Sequence, residues 1–160
     1  MRKLLLGVLI LVLGCMLVQG ETFEHEEGGI SIWFPDNWKI EDTENLLEAY
    51  SPDEEAFAHL LVLQDVNSLD AAVNAYVNEL DKIVRNFRSN SGDGQELEMN
   101  GLKIFYIEGE GKVEGETVDV GVALIASRSA ITMMVTFNTK RAAKKYARDF
   151  ENIVKSLKAL

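Results

Sequence analysis

The chain has 160 residues, 47% of them hydrophobic, with a formal net charge of −10, two histidines and a single cysteine, Cys15. That length suits an export segment followed by one unit of about 140 residues with one core. A lone thiol excludes an internal disulfide, a cysteine-built metal centre and a dithiol redox pair, and the acidic balance argues against nucleic acid as a partner, because phosphate binding needs a broad basic face.

At the N-terminus, Arg2 and Lys3 precede an unbroken apolar run from Leu4 to Leu13 and then small residues, which is the pattern of an export signal. The uncharged stretch ending at Gly20 only reaches the lower edge of the ~17 to 25 residues of a spanning helix, so a removable segment is the better reading than a permanent anchor. Two processing routes are open. Cleavage after Gly20, with Val18 and Gly20 as the small residues, leaves a domain spanning 21–160. Alternatively, Val12-Leu13-Gly14-Cys15 resembles a bacterial lipobox, which would lipidate Cys15 and tether the product to a membrane; the apolar Met16-Leu17-Val18 speaks against it, since a polar tether normally follows. Either route delivers the domain to a periplasmic or extracellular location.

Beyond the signal, residues 21–65 carry thirteen acids against Lys39 alone, whereas 139–160 carry seven bases against Asp149 and Glu151. Thr22 to His25 and Ile30 to Phe34 flank Glu27-Gly28-Gly29 and read as a hairpin. In ISIWFPDNWKI, Ile30, Ile32 and Phe34 alternate onto one face and Ser31 and Trp33 onto the other, until Pro35, lacking an N–H, ends the pairing. Lys39 to Glu41, Leu46 to Tyr50 and Ala56 to Leu63 continue as strands, so the opening section reads as a meander. From Ser68 the period changes: Leu69, Val73, Tyr76, Leu80, Ile83 or Val84, and Phe87 form one stripe on a helix capped by Ser68 and ended by Asn90 to Gly94.

Asn100-Gly101 is a favoured two-residue turn. It sets Met99 opposite Leu102, Glu98 opposite Lys103 and Leu97 opposite Ile104, pairing apolar with apolar and acid with base. Leu102, Ile104 and Tyr106 then line one face and Phe105 and Ile107 the other. After a turn at Gly115, Val118, Val120, Val122 and Leu124 alternate with Asp119, Gly121, Ala123 and Ile125. Ile131, Met133, Val135 and Phe137 back onto Thr132, Met134 and Thr136. Strands apolar on both sides need cover on both sides. A second helix begins after Thr139, with Ala143, Tyr146 or Ala147, Phe150, Ile153 or Val154, and Leu157 as its stripe. The expected fold is α+β: an antiparallel sheet of about six to eight strands flanked by two amphipathic helices.

The succession of strand, Phe-Pro-x-x-Trp and strand, the acidic Ser-Pro-Asp turn at Ser51 to Asp53, the long central helix and the closing FENIVKSLK resemble the PsbP-like superfamily. That group holds extrinsic subunits of photosystem II, DcrB-like lipoproteins and Ran-binding Mog-type proteins. The resemblance implies an antiparallel sheet between helices and a non-enzymatic accessory or binding role, with no catalytic signature and no cofactor.

Residue chemistry agrees. The aromatic corner of Trp33, Phe34, Pro35 and Trp38 is accounted for by packing, since burying one such ring stabilises by about 1.5 to 3 kcal/mol; Trp33 is the member expected to stay partly exposed. His25 and His59 are the only imidazoles, and His59 shares a strand face with Phe57 and Leu61. A zinc site from both histidines and a carboxylate needs their strands adjacent. Asn90, Asp93 and Glu96 lack the spacing of a calcium loop, and no nucleophile elbow or phosphate loop occurs.

The remaining cluster is basic. Lys140, Arg141, Lys144, Lys145 and Arg148 crowd the start of the last helix, where the macrodipole disfavours positive charge. They face either the acidic N-terminal third and solvent, or an acidic envelope protein or anionic membrane surface. The leading expectation is a monomeric, non-enzymatic binding or accessory protein of the cell envelope; the alternatives are a small hydrolase or metal-dependent enzyme using His59 with carboxylates, and a structural or inhibitory module.

Overall fold

The computed structural model describes residues 19–43, 46–90 and 92–160. Cys15 and most of the expected signal lie outside them. Strands β1 (Gly20–His25) and β2 (Ile30–Pro35) form the opening hairpin, with Phe23 opposite Ile32 and His25 opposite Ile30. Alternation buries Ile30, Ile32 and Phe34 completely. Pro35 ends the ladder, and the Trp38 N–H donates to its carbonyl at 3.0 Å to close a turn.

The chain then changes sheets. Strands β3 (Lys39–Thr43), β4 (Leu46–Tyr50) and β5 (Ala56–Val62) are consecutive antiparallel neighbours in an eight-stranded sheet, whereas β1 and β2 belong to a separate three-stranded one. The single opening meander is therefore divided at the Pro35 corner, where the missing N–H releases the chain from one ladder into another.

Helix α1 (Leu69–Ile83) starts where its cap places it: the Ser68 hydroxyl oxygen accepts from the Ala71 N–H at 3.2 Å. It ends earlier than its apolar stripe suggests. Val84 is extended (φ −118°, ψ 122°) and the chain becomes β6 (Arg85–Ser89), paired to the edge of the later strand Leu102–Val113. Phe87 still packs on the α1 side, because Ile83 to Phe87 keeps one face whether it is read at a step of four or of two.

Strands β7 (Gln95–Met99) and β8 (Leu102–Val113) form the expected hairpin in the expected register, and Asn100 and Gly101 both take positive φ (49° and 81°). Strands β9 (Glu116–Ala126) and β10 (Ile131–Asn138) complete the sheet in the order β3-β4-β5-β10-β9-β8-β6, with β7 also pairing β8. The last helical region is two helices rather than one, α2 (Lys140–Lys145) and α3 (Ala147–Ser156), separated at Tyr146 (φ −104°, ψ 10°). After α3 the chain adds β11 (Lys158–Ala159) to β2.

Two buried clusters result. On one face, Leu80, Val84 and Ala72 of the α1 region meet Phe105, Ile107, Val122, Leu124, Met133 and Val135; on the other, Ile153, Leu157 and Tyr146 meet Leu60, Ile104, Ala123, Ile125 and Met134 together with Ile32 and Phe34 of the small sheet. This is an α+β sandwich: an antiparallel sheet with α1 on one side and α2, α3 and the small sheet on the other. No helix of the described residues is long and apolar enough to cross a membrane.

Candidate functional site

The α2–α3 layer is held by aromatic packing at the Pro35 corner. Trp38 is 5% exposed; its ring stacks on Phe34 at 6.4 Å and meets Tyr146 and Phe150 edge-on at 5.8 and 5.4 Å. Phe34 and Pro35 are buried, and Trp33 is half-buried on the opposite side of the strand. The Trp33 N–H donates to the Ser156 hydroxyl at 2.8 Å, which ties β2 to α3. These rings therefore fix where the helices sit over the sheet. The helix break falls at a residue held from two sides: the Tyr146 hydroxyl donates to Asp53 at 2.9 Å while its ring abuts Trp38.

Charge pins the outer side of the same layer. Lys145 donates to Asp53 at 2.7 Å, Arg141 to Glu55 at 2.9 Å through Nε, and Lys140 to Glu110 at 2.8 Å. The Asp53 carboxyl is held down to about 2 chiefly by Lys145, with Ser51 and Tyr146 as further donors, and Lys140 lowers Glu110 in the same way. Three cations at the start of the helical region thus face acids of the β4–β5 turn and of β8. Lys144 and Arg148 make no ion pair among the described residues, and both are exposed. Thr139 accepts from the Ala142 N–H at 3.1 Å and caps α2.

The two histidines are not brought together. His25 is buried in the β1–β2 hairpin, where its Nδ1 accepts the Gly28 N–H at 3.0 Å, which places any ring proton on Nε2. His59 lies on the α1 face of β5 and contacts Glu48 directly across the β4–β5 ladder. It opens onto a shallow cleft of about 440 Å³ with Glu41, Tyr50, Glu54 and Phe57. An imidazole–carboxylate pair can hold and pass a proton, but the residues lining this cleft include no serine, threonine or cysteine. Among the described residues no three histidine, cysteine, aspartate or glutamate side chains are placed to hold a metal ion.

The larger concavity lies elsewhere, between the sheet and α2–α3, with a volume of about 480 Å³. Strand register builds its floor in three rows. Tyr106, Ala123 and Met134 form the first, Glu108, Gly121 and Thr136 the second, and Asp119 and Asn138 the third, with Glu110 beside Asp119 in register but outside the lining. Phe150 and Val154 border the apolar end, and Ala143 and Ala147 the helical wall. Small residues make the space. At Gly121 even a Cβ would come within 2.7 Å of the Thr136 hydroxyl, which donates across the ladder to the Gly121 carbonyl at 3.4 Å. Burial pushes the Tyr106 phenol well above its ordinary range, and the hydrogen bond it donates to Glu108 adds to the shift, so it stays protonated.

None of Tyr106, Glu108, Asp119, Thr136 or Asn138 stood out as a site in the sequence. A signal was present: Asp119, Gly121 and Thr136 interrupt the sheet face that Ile104, Ile125 and Met134 make apolar. Their convergence depends on the β8–β9–β10 register, which joins residues far apart in the chain.

No protein-family profile matches this sequence, and no curated protein does. Solved structures do match. The solution structure of cyanobacterial PsbP (CyanoP) from Synechocystis sp. PCC 6803 superposes with a TM-score of 0.63 at 10% identity, over 92% of this chain and 96% of that one. The Saccharomyces cerevisiae Ran-binding protein Mog1p gives 0.56 at 12% identity, over 89% and 96%. A Bacteroides thetaiotaomicron protein gives 0.59 at 17% identity, covering 89% of this chain but 49% of its own length. With its antiparallel sheet between α1 and the α2–α3 layer, the chain has the PsbP/Mog-type fold.

Proposed function

We propose that this chain is an exported, non-enzymatic binding or accessory protein of the cell envelope, and that it recognises its partner through the α2–α3 side. The observation that carries this reading is the cleft beneath α2–α3, a concave surface with an apolar end and a polar end, framed by helices that the aromatic corner and three ion pairs hold in place. A formed pocket of that kind is the default place for recognition. The export pattern of the first twenty residues supports the envelope assignment, and Mog1p, described as Ran-binding, puts protein recognition on the same architecture.

Of the five cations, Lys144 and Arg148 direct charge outward, while Lys140, Arg141 and Lys145 are engaged with acids. The docking surface for an acidic envelope protein is therefore centred on Lys144 and Arg148, outside the cleft, whose own lining carries Glu108 and Asp119 and no cation. Reversing both to glutamate leaves the internal ion pairs intact, so the variant should fold normally. Capture of the partner by the mature chain from an envelope extract should fall, and the residual binding should lose its dependence on salt. Undiminished capture at every salt concentration would refute the docking assignment.

A further inference from the structure

We propose that the cleft under α2–α3 takes a small organic cation, an ammonium or guanidinium group carried on an apolar body. This inference rests on reading that cleft as the binding site and names the chemistry it selects. The cleft volume of about 480 Å³ lies within the range of small-molecule sites. Its floor is graded: Ala123, Met134, Phe150 and Val154 supply an apolar end, and Glu108, Asp119 and Asn138 a polar one.

The hydrogen-bonding inventory gives the sign. The Tyr106 hydroxyl proton is given to Glu108 and the Thr136 hydroxyl proton to the Gly121 carbonyl, so both hydroxyls face the cleft as acceptors. Asn138 lines the polar end, and its Oδ1 atom is itself buried without a partner in the protein. Two carboxylates, Glu108 and Asp119, line the cleft, and no lysine, arginine or histidine does. Lys140, near enough to Asp119 to feel its charge, is itself bound to Glu110 at 2.8 Å. Apart from the side-chain amides of Asn90 and Asn138, the lining side chains therefore offer acceptors and negative charge. A ligand that brings donors and a positive charge meets both needs, whereas an anion meets like charge in a partly desolvated site.

Three indole probes of matched shape test this: tryptamine, its neutral alcohol analogue tryptophol, and indole-3-acetate. Each is titrated into the mature chain by calorimetry, with the amide resonances of Gly121, Ala143 and Ala147 as reporters of place. Tryptamine should bind at least about tenfold tighter than either analogue and move those resonances. Asp119→Asn should remove most of that preference. Equal or tighter binding of tryptophol or indole-3-acetate at the same resonances would overturn the cation assignment yet keep the cleft as a binding site. If no probe moves those resonances, and Ala147→Trp, which narrows the mouth, leaves envelope capture intact, then both the cation assignment and the recognition role of the cleft fail.

Discussion

Trp38→Ala is the most informative single perturbation, because the account makes this ring responsible for seating α2 and α3. Trp38 is 5% exposed and touches Phe34, Tyr146 and Phe150 within 6.4 Å between ring centres. Truncating a buried aromatic residue to alanine costs about 3 to 5 kcal/mol. One contribution works the other way. The Trp38 Nε1 is buried without a partner, and removing an unsatisfied donor returns about 1 kcal/mol or more, which puts the expected loss near about 3 kcal/mol. For about 140 residues, an unfolding entropy of about 2.1 cal/mol/K per residue converts that loss into a fall of about 10 °C in Tm. Trp38→Phe keeps a ring and drops the orphan N–H, so it should cost less than about 1.5 kcal/mol. Urea denaturation with an unchanged m-value is the assay. A loss below about 1 kcal/mol for Trp38→Ala, combined with abolished partner capture, would mean that the corner is a ligand box and not a packing element.

Three further outcomes follow from the geometry. Asp53 has a folded pKa of about 2 against an ordinary value of 3.8, so its contribution is complete above the ordinary value and is lost as pH falls towards 2. The stability gap between the protein and Asp53→Asn, measured by denaturation, should therefore be largest near neutrality and shrink below about pH 4; a gap constant with pH would contradict the Lys145 and Tyr146 contacts. Asn100 takes a positive φ and donates to the Leu157 carbonyl at 2.8 Å, so Asn100→Ala loses both a turn preference and a helix-end partner and should cost about 1 to 2 kcal/mol in the same assay. Ser68→Ala should cost about 1 kcal/mol and speed amide exchange in the first turn of α1 with no effect on exchange in α3.

The sequence was most readable where local chemistry and long-range packing ask for the same residue. Ser68 is both a good cap and the point where the apolar period changes, and Asn100-Gly101 both makes the turn and sets the Leu97 to Ile104 register. Phe87 sits on a strand and not on the expected helix because a stripe continuing past Ile83 fits either over so few residues, and the edge of β8 supplies the partner that decides it. The break at Tyr146 has no glycine or proline to announce it; Asp53, distant in sequence, holds the side chain there. Strand β11 is two residues long and exists because β2 has an unpaired edge beside it. Of the basic cluster, sequence spacing gave the positions but not the partners, since Asp53, Glu55 and Glu110 reach Lys145, Arg141 and Lys140 only once the strands are laid side by side. The cleft was invisible for the same reason.

The recognition role of the α2–α3 side is tested most directly by photocrosslinking in intact envelopes, with the reactive residue placed at Lys144 in one variant and at the exposed Val77 of α1 in another. The account predicts one discrete adduct from position 144 that is lost when Arg148 is reversed to glutamate, and none from position 77. An adduct from position 77 alone, or the same adducts from both positions, would contradict it.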